Sequence, residues 1–199
     1  MAYKVLNNVS VKDASGISSL STDMLVLVIN KNTKNDSSFK ELDEKSKKFI
    51  SKTIRTHLDQ SNSSILLPKI DGINAKSILL VKGLDADMHT HKWLSLFRGM
   101  AQKGNHNKCK DITVVPGTIS PKGKDELWLI EMVSKTIESN VYIFSETKNK
   151  TSKKPSVKKL TILTTGLTGS KLTKAKQAAK VGYAIGEGVN TAKYLGDLP

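Results

Sequence analysis

Apolar residues are laid out along this chain in two alternating rhythms. Met24-Leu-Val-Leu-Val-Ile-Asn30, Lys76-Ser-Ile-Leu-Leu-Val-Lys82, Asp111-Ile-Thr-Val-Val115 and Lys158-Lys-Leu-Thr-Ile-Leu-Thr164 are short, nearly unbroken and rich in branched residues. Runs of this kind predict strands buried on both faces. Tyr3–Leu6, at an edge, Ser64–Leu67 and Val141–Phe144 read as shorter strands. Between the runs, apolar residues recur every three or four positions, the repeat of a helix with one buried side. Phe39, Leu42, Phe49, Ile50, Ile54 and Leu58 predict one helix over residues 38–59, opened by a Ser38-Phe-Lys-Glu41 capping box. Trp93, Leu94, Phe97, Met100 and Ala101 predict a second, capped by Thr90, and Leu127, Ile130, Val133 and Ile137 a third over residues 124–138.

Turn chemistry punctuates the pattern at Pro68…Asp71-Gly72 and Pro116-Gly117, while Lys148–Lys154 holds no apolar residue and reads as an exposed loop. Alternation of strands and helices predicts an α/β fold: a mixed, mostly parallel sheet with helices on both faces. Residues 1–168 form that domain, and residues 169–199 read as a long connector helix.

The connector carries small or apolar residues at Ala175, Ala178, Gly182, Ile185, Val189, Ala192 and Leu195. Gly182, Gly186 and Gly188 each weaken a helix by about 1 kcal/mol relative to Ala, which predicts close packing against the backbone. Gly166-Leu-Thr-Gly-Ser170 supplies the entry to the helix, and Gly196 and Pro199 its stop. The segment Gly182-Tyr-Ala-Ile-Gly-Glu-Gly-Val-Asn-Thr-Ala-Lys-Tyr-Leu-Gly-Asp-Leu-Pro199 resembles the stretch joining the two domains of the leucyl aminopeptidases, the cytosol aminopeptidase family. Asp197 stands where that family usually has Asn.

The resemblance implies a macro-domain-like N-terminal domain that is not itself catalytic. It implies a following domain, absent from this chain, in which two divalent metal ions (zinc or manganese) activate a bridging water to release N-terminal residues, leucine preferred, from peptides. It further implies a hexamer in which this domain supports assembly and access to the active sites. The Asn-Thr-Asp-Ala-Glu-Gly-Arg-Leu marker of the metal-binding domain occurs nowhere in the sequence. No catalytic or metal-ligating residue is therefore assigned, and the 199 residues alone are expected to be inactive. The small-residue stripe is expected to face the following domain, leaving Ile185, Val189 and Leu195 partly exposed without it.

Composition adds constraints. The longest apolar runs are too short to span a bilayer, and the N-terminus lacks the sections of a signal peptide. Cys109, the only cysteine, excludes an intrachain disulfide and fits a reducing compartment, so a cytoplasmic protein is expected. A net charge of +14 invites a nucleic-acid reading, but only Arg55 and Arg98 are arginines. Between Glu146 and Glu187 stand ten lysines and no acid. Lys148, Lys150, Lys153, Lys154, Lys158 and Lys159 are the candidate DNA contacts there, although no aromatics interleave for stacking.

Other motifs favour plain readings. Asp85-Ala-Asp-Met-His-Thr-His91 has the alternation of a zinc nest, but also suits a loop before a helix. Gly166–Thr173 lacks the Gly-Lys-Ser/Thr order of a phosphate loop, and the glycines at 182–188 follow no strand. His57 lies at the end of an amphipathic helix and His106 in the polar Gly104-Asn-His-Asn-Lys108 loop, and no histidine with a recognisable local signature accompanies Cys109 as a catalytic pair. Lys108 and Lys110 beside Cys109 point to a lowered pKa, on what is expected to be a plain exposed or half-buried thiol. The rival to the aminopeptidase reading is an independent basic module contacting DNA or an ADP-ribose-like ligand; Val115-Pro-Gly-Thr118 and Thr165-Gly166 offer fragments of the glycine-bearing loops the latter requires.

Overall fold

A computed structural model describes residues 4–58, 63–117, 119–144 and 154–198. Six strands form one sheet: β1 (Asn8–Asp13), β2 (Met24–Ile29), β3 (Ser64–Pro68), β4 (Ser77–Lys82), β5 (Asp111–Val115) and β6 (Lys159–Thr164). Their order is β1-β6-β5-β2-β4-β3, with β3 antiparallel to β4 and every other pair parallel. The mixed, mostly parallel sheet expected from the sequence is present.

Side chains of the central strands alternate between two cores. Met24, Val26 and Val28 join Leu79, Ile112, Val114, Leu160 and Ile162 on one face. That face is covered by α3 (Thr90–His106), α4 (Glu126–Val141) and α5 (Gly169–Asp197). Leu25 and Leu27 point to the opposite face with Ile78 and Leu80. There they meet α1 (Ser37–Lys45), α2 (Phe49–Thr53) and the π-helical turn Ile54–Leu58. Burial on both sides explains why these strands read as continuous apolar runs.

Five local expectations are corrected. The first strand is β1, not Tyr3–Leu6: residues 4–6 are irregular, because the Val5 and Leu6 N–H groups donate to the buried carboxylate of Glu138 (2.7 and 2.9 Å). The helix expected over 38–59 is broken, since Lys47 (φ 51°) and Lys48 (φ 62°) turn the chain through left-handed conformations between α1 and α2. Its cap is Asp36, which accepts from Ser38 N and Phe39 N, while Glu41 binds Ser18 instead of closing a capping box. Residues 141–144 form no strand; Val141 is the last residue of α4, whose N-terminus Asp125 caps by accepting from Trp128 N. At α3 the capping position is His89, one residue before Thr90.

Candidate functional site

Helix α5 lies along α4 at close range, and the reason is in its glycines. A Cβ on Gly182 would lie 2.0 Å from the Glu131 carbonyl oxygen, and one on Gly186 would lie 2.7 Å from the Glu138 Cβ. Ala175, Ala179, Gly182, Gly186 and Asn190 form the buried seam, at steps of four, three, four and four. Ser134 Oγ ties the pair together by donating to the Ala179 carbonyl (2.8 Å). Gly188 is different: nothing lies within 4 Å of its added Cβ.

At the far end of this seam sits a polar knot. The fully buried Glu138 accepts from Val5 N, Leu6 N and Asn190 Nδ2 (2.9 Å). Burial pushes its pKa up, against the pull of those three donors, and the charge of Glu187 adds to the rise. Tyr183 donates its hydroxyl to the Leu6 carbonyl (2.8 Å), and burial, then Glu187, raises the phenol further from ionisation. Lys193 donates to the Ser139 carbonyl; burial, then Arg98, lowers its pKa. N-terminal segment, α4 and α5 are thus locked into one unit.

The opposite side of α5 is apolar and uncovered. Val181, Ile185, Gly188, Ala192 and Leu195 follow steps of four, three, four and three, and Ile185 and Leu195 are 40% and 64% exposed. Leu198 continues the exposed apolar surface, and Phe144 stacks obliquely on Tyr194 near the same end (6.2 Å). The single stripe expected from sequence mixed two seams. Ala175 and Gly182 face α4 rather than a further domain, whereas Ile185, Ala192 and Leu195 belong to the outer seam; Val189 is half-buried between them.

A second concave feature lies at the carboxyl ends of the strands. The sheet's connections diverge between β2 and β5, the switch point at which open α/β sheets bind ligands. A cavity of about 170 Å³ there is lined by Asp36, Pro116, Gly117, Ser120, Glu126 and Thr165 among others. Val115, Pro116 and Gly117 of one loop fragment noted in the sequence line it together with Thr165 of the other, while Thr118 lies outside the described residues. Gly117 turns through a left-handed conformation (φ 85°), and a Cβ added to it would lie 3.0 Å from Asn30 Nδ2. Thr165 Oγ1 donates to Asp36 (3.2 Å). Burial, then Asp125, raises the pKa of Glu126. Among the described residues its lining holds two carboxylates and no cation, which does not favour a diphosphate.

The remaining sequence candidates separate. Lys148, Lys150 and Lys153 lie outside the described residues; Lys154, Lys158 and Lys159 are exposed at and before the start of β6. Asp85, Asp87, His89 and His91 are exposed, with Asp85 paired to Lys31 (3.7 Å) and the two imidazoles stacked at 5.8 Å. Among the described residues, no group of three or more His, Cys, Asp or Glu side chains is placed to hold a metal, and no helix is long and apolar enough to cross a membrane. Cys109 is buried in the core; burial, then Asp23 and Asp111, raises its pKa, the reverse of what its lysine neighbours implied. Sequence reasoning missed Glu138 and Asn190 altogether. The heptad-like spacing of the outer seam was the signal available for α5.

Comparison with known proteins agrees with this geometry. A probable cytosol aminopeptidase of Nitrosomonas eutropha is 28% identical over 182 residues, covering 88% of this chain and 36% of that protein. A mutant of tomato leucine aminopeptidase superposes with a TM-score of 0.63 at 18% identity, over 92% of this chain and 37% of that one. A Trypanosoma brucei macrodomain gives 0.62 at 9% identity, over 87% and 67% of the two chains, a likeness of fold. The chain thus spans about a third (36%) of the length of the curated relatives it matches. The profile of the "Cytosol aminopeptidase family, N-terminal domain" matches residues 25–151, more than half of the sequence, and the chain therefore belongs to the cytosol aminopeptidase family, whose N-terminal domain it carries.

Proposed function

We propose that this chain serves as the non-catalytic N-terminal domain of a metal-dependent aminopeptidase of the cytoplasm, which releases N-terminal residues, leucine preferred, from peptides. The observation carrying this reading is the outer seam of α5. An apolar stripe at heptad spacing on a helix already fixed to its own domain is a prepared packing surface. A catalytic domain seated on it would cover Val181, Ile185 and Leu195, and that domain would hold the two divalent metals, zinc or manganese. Residues 1–168 are then the α/β body and residues 169–199 the connector, with assembly into a hexamer and control of access as the domain's contribution. Metal-assisted hydrolysis is assigned to that second domain.

The test is immunoprecipitation of the native protein from its cells with an antibody against the 199-residue chain, followed by assay on a leucine anilide. The expected result is hydrolysis that a chelator abolishes, with none from the purified 199-residue chain. A precipitate without peptidase activity, or activity in the purified chain itself, would overturn the proposal.

A further inference from the structure

The break between α1 and α2 builds a surface that the aminopeptidase reading does not use. Lys47 and Lys48, both left-handed, swing the chain so that α2 starts at Phe49. Phe49 is 47% exposed, although Ile50 and Ile54 on the same segment are buried in the core. Lys47, Lys48, Phe49, Lys52, Arg55 and Thr56 line a shallow groove of about 640 Å³. Among the described residues, no carboxylate lines it. Asp43, the acid one turn back, is held by Ser51 N and Oγ (2.8 and 2.6 Å). Among the described residues, no salt bridge involves the four cations. One of the chain's two arginines is among them.

We propose that this groove binds single-stranded nucleic acid, with a base stacked on Phe49 and successive phosphates paired with Lys47, Lys48, Lys52 and Arg55. A basic track with an exposed aromatic within it is the chemistry of a strand-binding platform, where stacking tolerates any base and cations follow the backbone. A duplex keeps its bases stacked on one another and would leave Phe49 unused. A membrane surface calls for a protruding aromatic, whereas this ring lines a concavity. The groove lies on the sheet face opposite α5, so it stays open when the outer seam is covered. It is independent of the aminopeptidase proposal and stands or falls separately.

The test is fluorescence anisotropy of the 199-residue chain with a fluorescein-labelled oligothymidylate, titrated across salt. Four cations, at about −0.7 per neutralised phosphate, predict a slope of log K against log salt of about −2.8. Phe49→Ala is expected to weaken binding about tenfold with the slope unchanged. Lys47→Gln with Lys52→Gln is expected to reduce the slope's magnitude by about 1.4. Lys158→Gln with Lys159→Gln is expected to change neither. Thermal melts check that each variant is folded, which the exposure of these side chains favours. Absence of binding at low salt, full affinity in Phe49→Ala, or loss confined to the Lys158 and Lys159 variant would overturn the assignment. So would tighter binding to a duplex of equal length or to phosphatidylserine vesicles.

Discussion

Glu138 concentrates more of the structure in one side chain than any residue that the sequence pattern highlights. Its two oxygens receive the N-terminal segment and Asn190, and burial holds its pKa above the ordinary value of 4.5. A carboxyl group raised in the folded state favours folding most when protonated. Its contribution is therefore complete below the unfolded value and is lost as pH rises through the folded one. Glu138→Gln cannot titrate, and its amide can accept only one of the two backbone N–H groups, costing about 1–3 kcal/mol. The wild type is expected to exceed the variant in melting temperature by most near pH 4, with the margin shrinking toward pH 8. A margin that stays constant or grows with pH would show that the carboxylate ionises without penalty. The sequence offered no sign of this role. An acid at the buried edge of an amphipathic helix looks like any solvated one until the segment it binds, more than 130 residues earlier in the chain, is in place.

At the scale of elements, legibility followed burial. The four long apolar runs appear as β2, β4, β5 and β6 because both faces of each are covered, and that pattern needs no knowledge of partners. The first strand was misplaced for the complementary reason. β1 is an edge strand with only Val11 fully buried, and its alternation is weaker than that of the Val5-Leu6 pair that serves as an anchor. The α1–α2 break was hidden because Lys47 and Lys48 adopt a conformation more usual for glycine. The α4–α5 contact was half-legible: glycines predicted close approach, but not which of them makes it. Gly182→Ala is expected to destabilise the fold by about 3 kcal/mol or more, since its Cβ meets rigid backbone at 2.0 Å rather than a mobile side chain. Gly188→Ala, with open space around it, is expected to stabilise by up to about 1 kcal/mol. Urea melts of the two variants read both signs, and equal effects would contradict the packing described for α5.

For the whole molecule, the sheet separates two faces with different surfaces to offer. One carries the helices that end in the outer seam of α5; the other carries the cationic groove at Phe49. Only the first was foreshadowed by the sequence resemblance, because a connector's spacing is local, whereas the groove depends on a backbone turn. A surface meant for a partner should be dispensable to the domain itself, and this separates docking from ordinary core packing. Ile185→Asp combined with Leu195→Asp replaces two exposed side chains, so the melting of the 199-residue chain is expected to stay within about 0.5 kcal/mol of wild type. With the proposed catalytic domain seated on the seam, the same substitutions in the native protein would place two charges in a desolvated interface, and they are expected to abolish co-precipitated aminopeptidase activity. Loss of about 2 kcal/mol in the chain alone would mean that the seam is already packed within this domain. Retained activity with both aspartates present would mean that a catalytic domain, if joined to this chain, sits elsewhere.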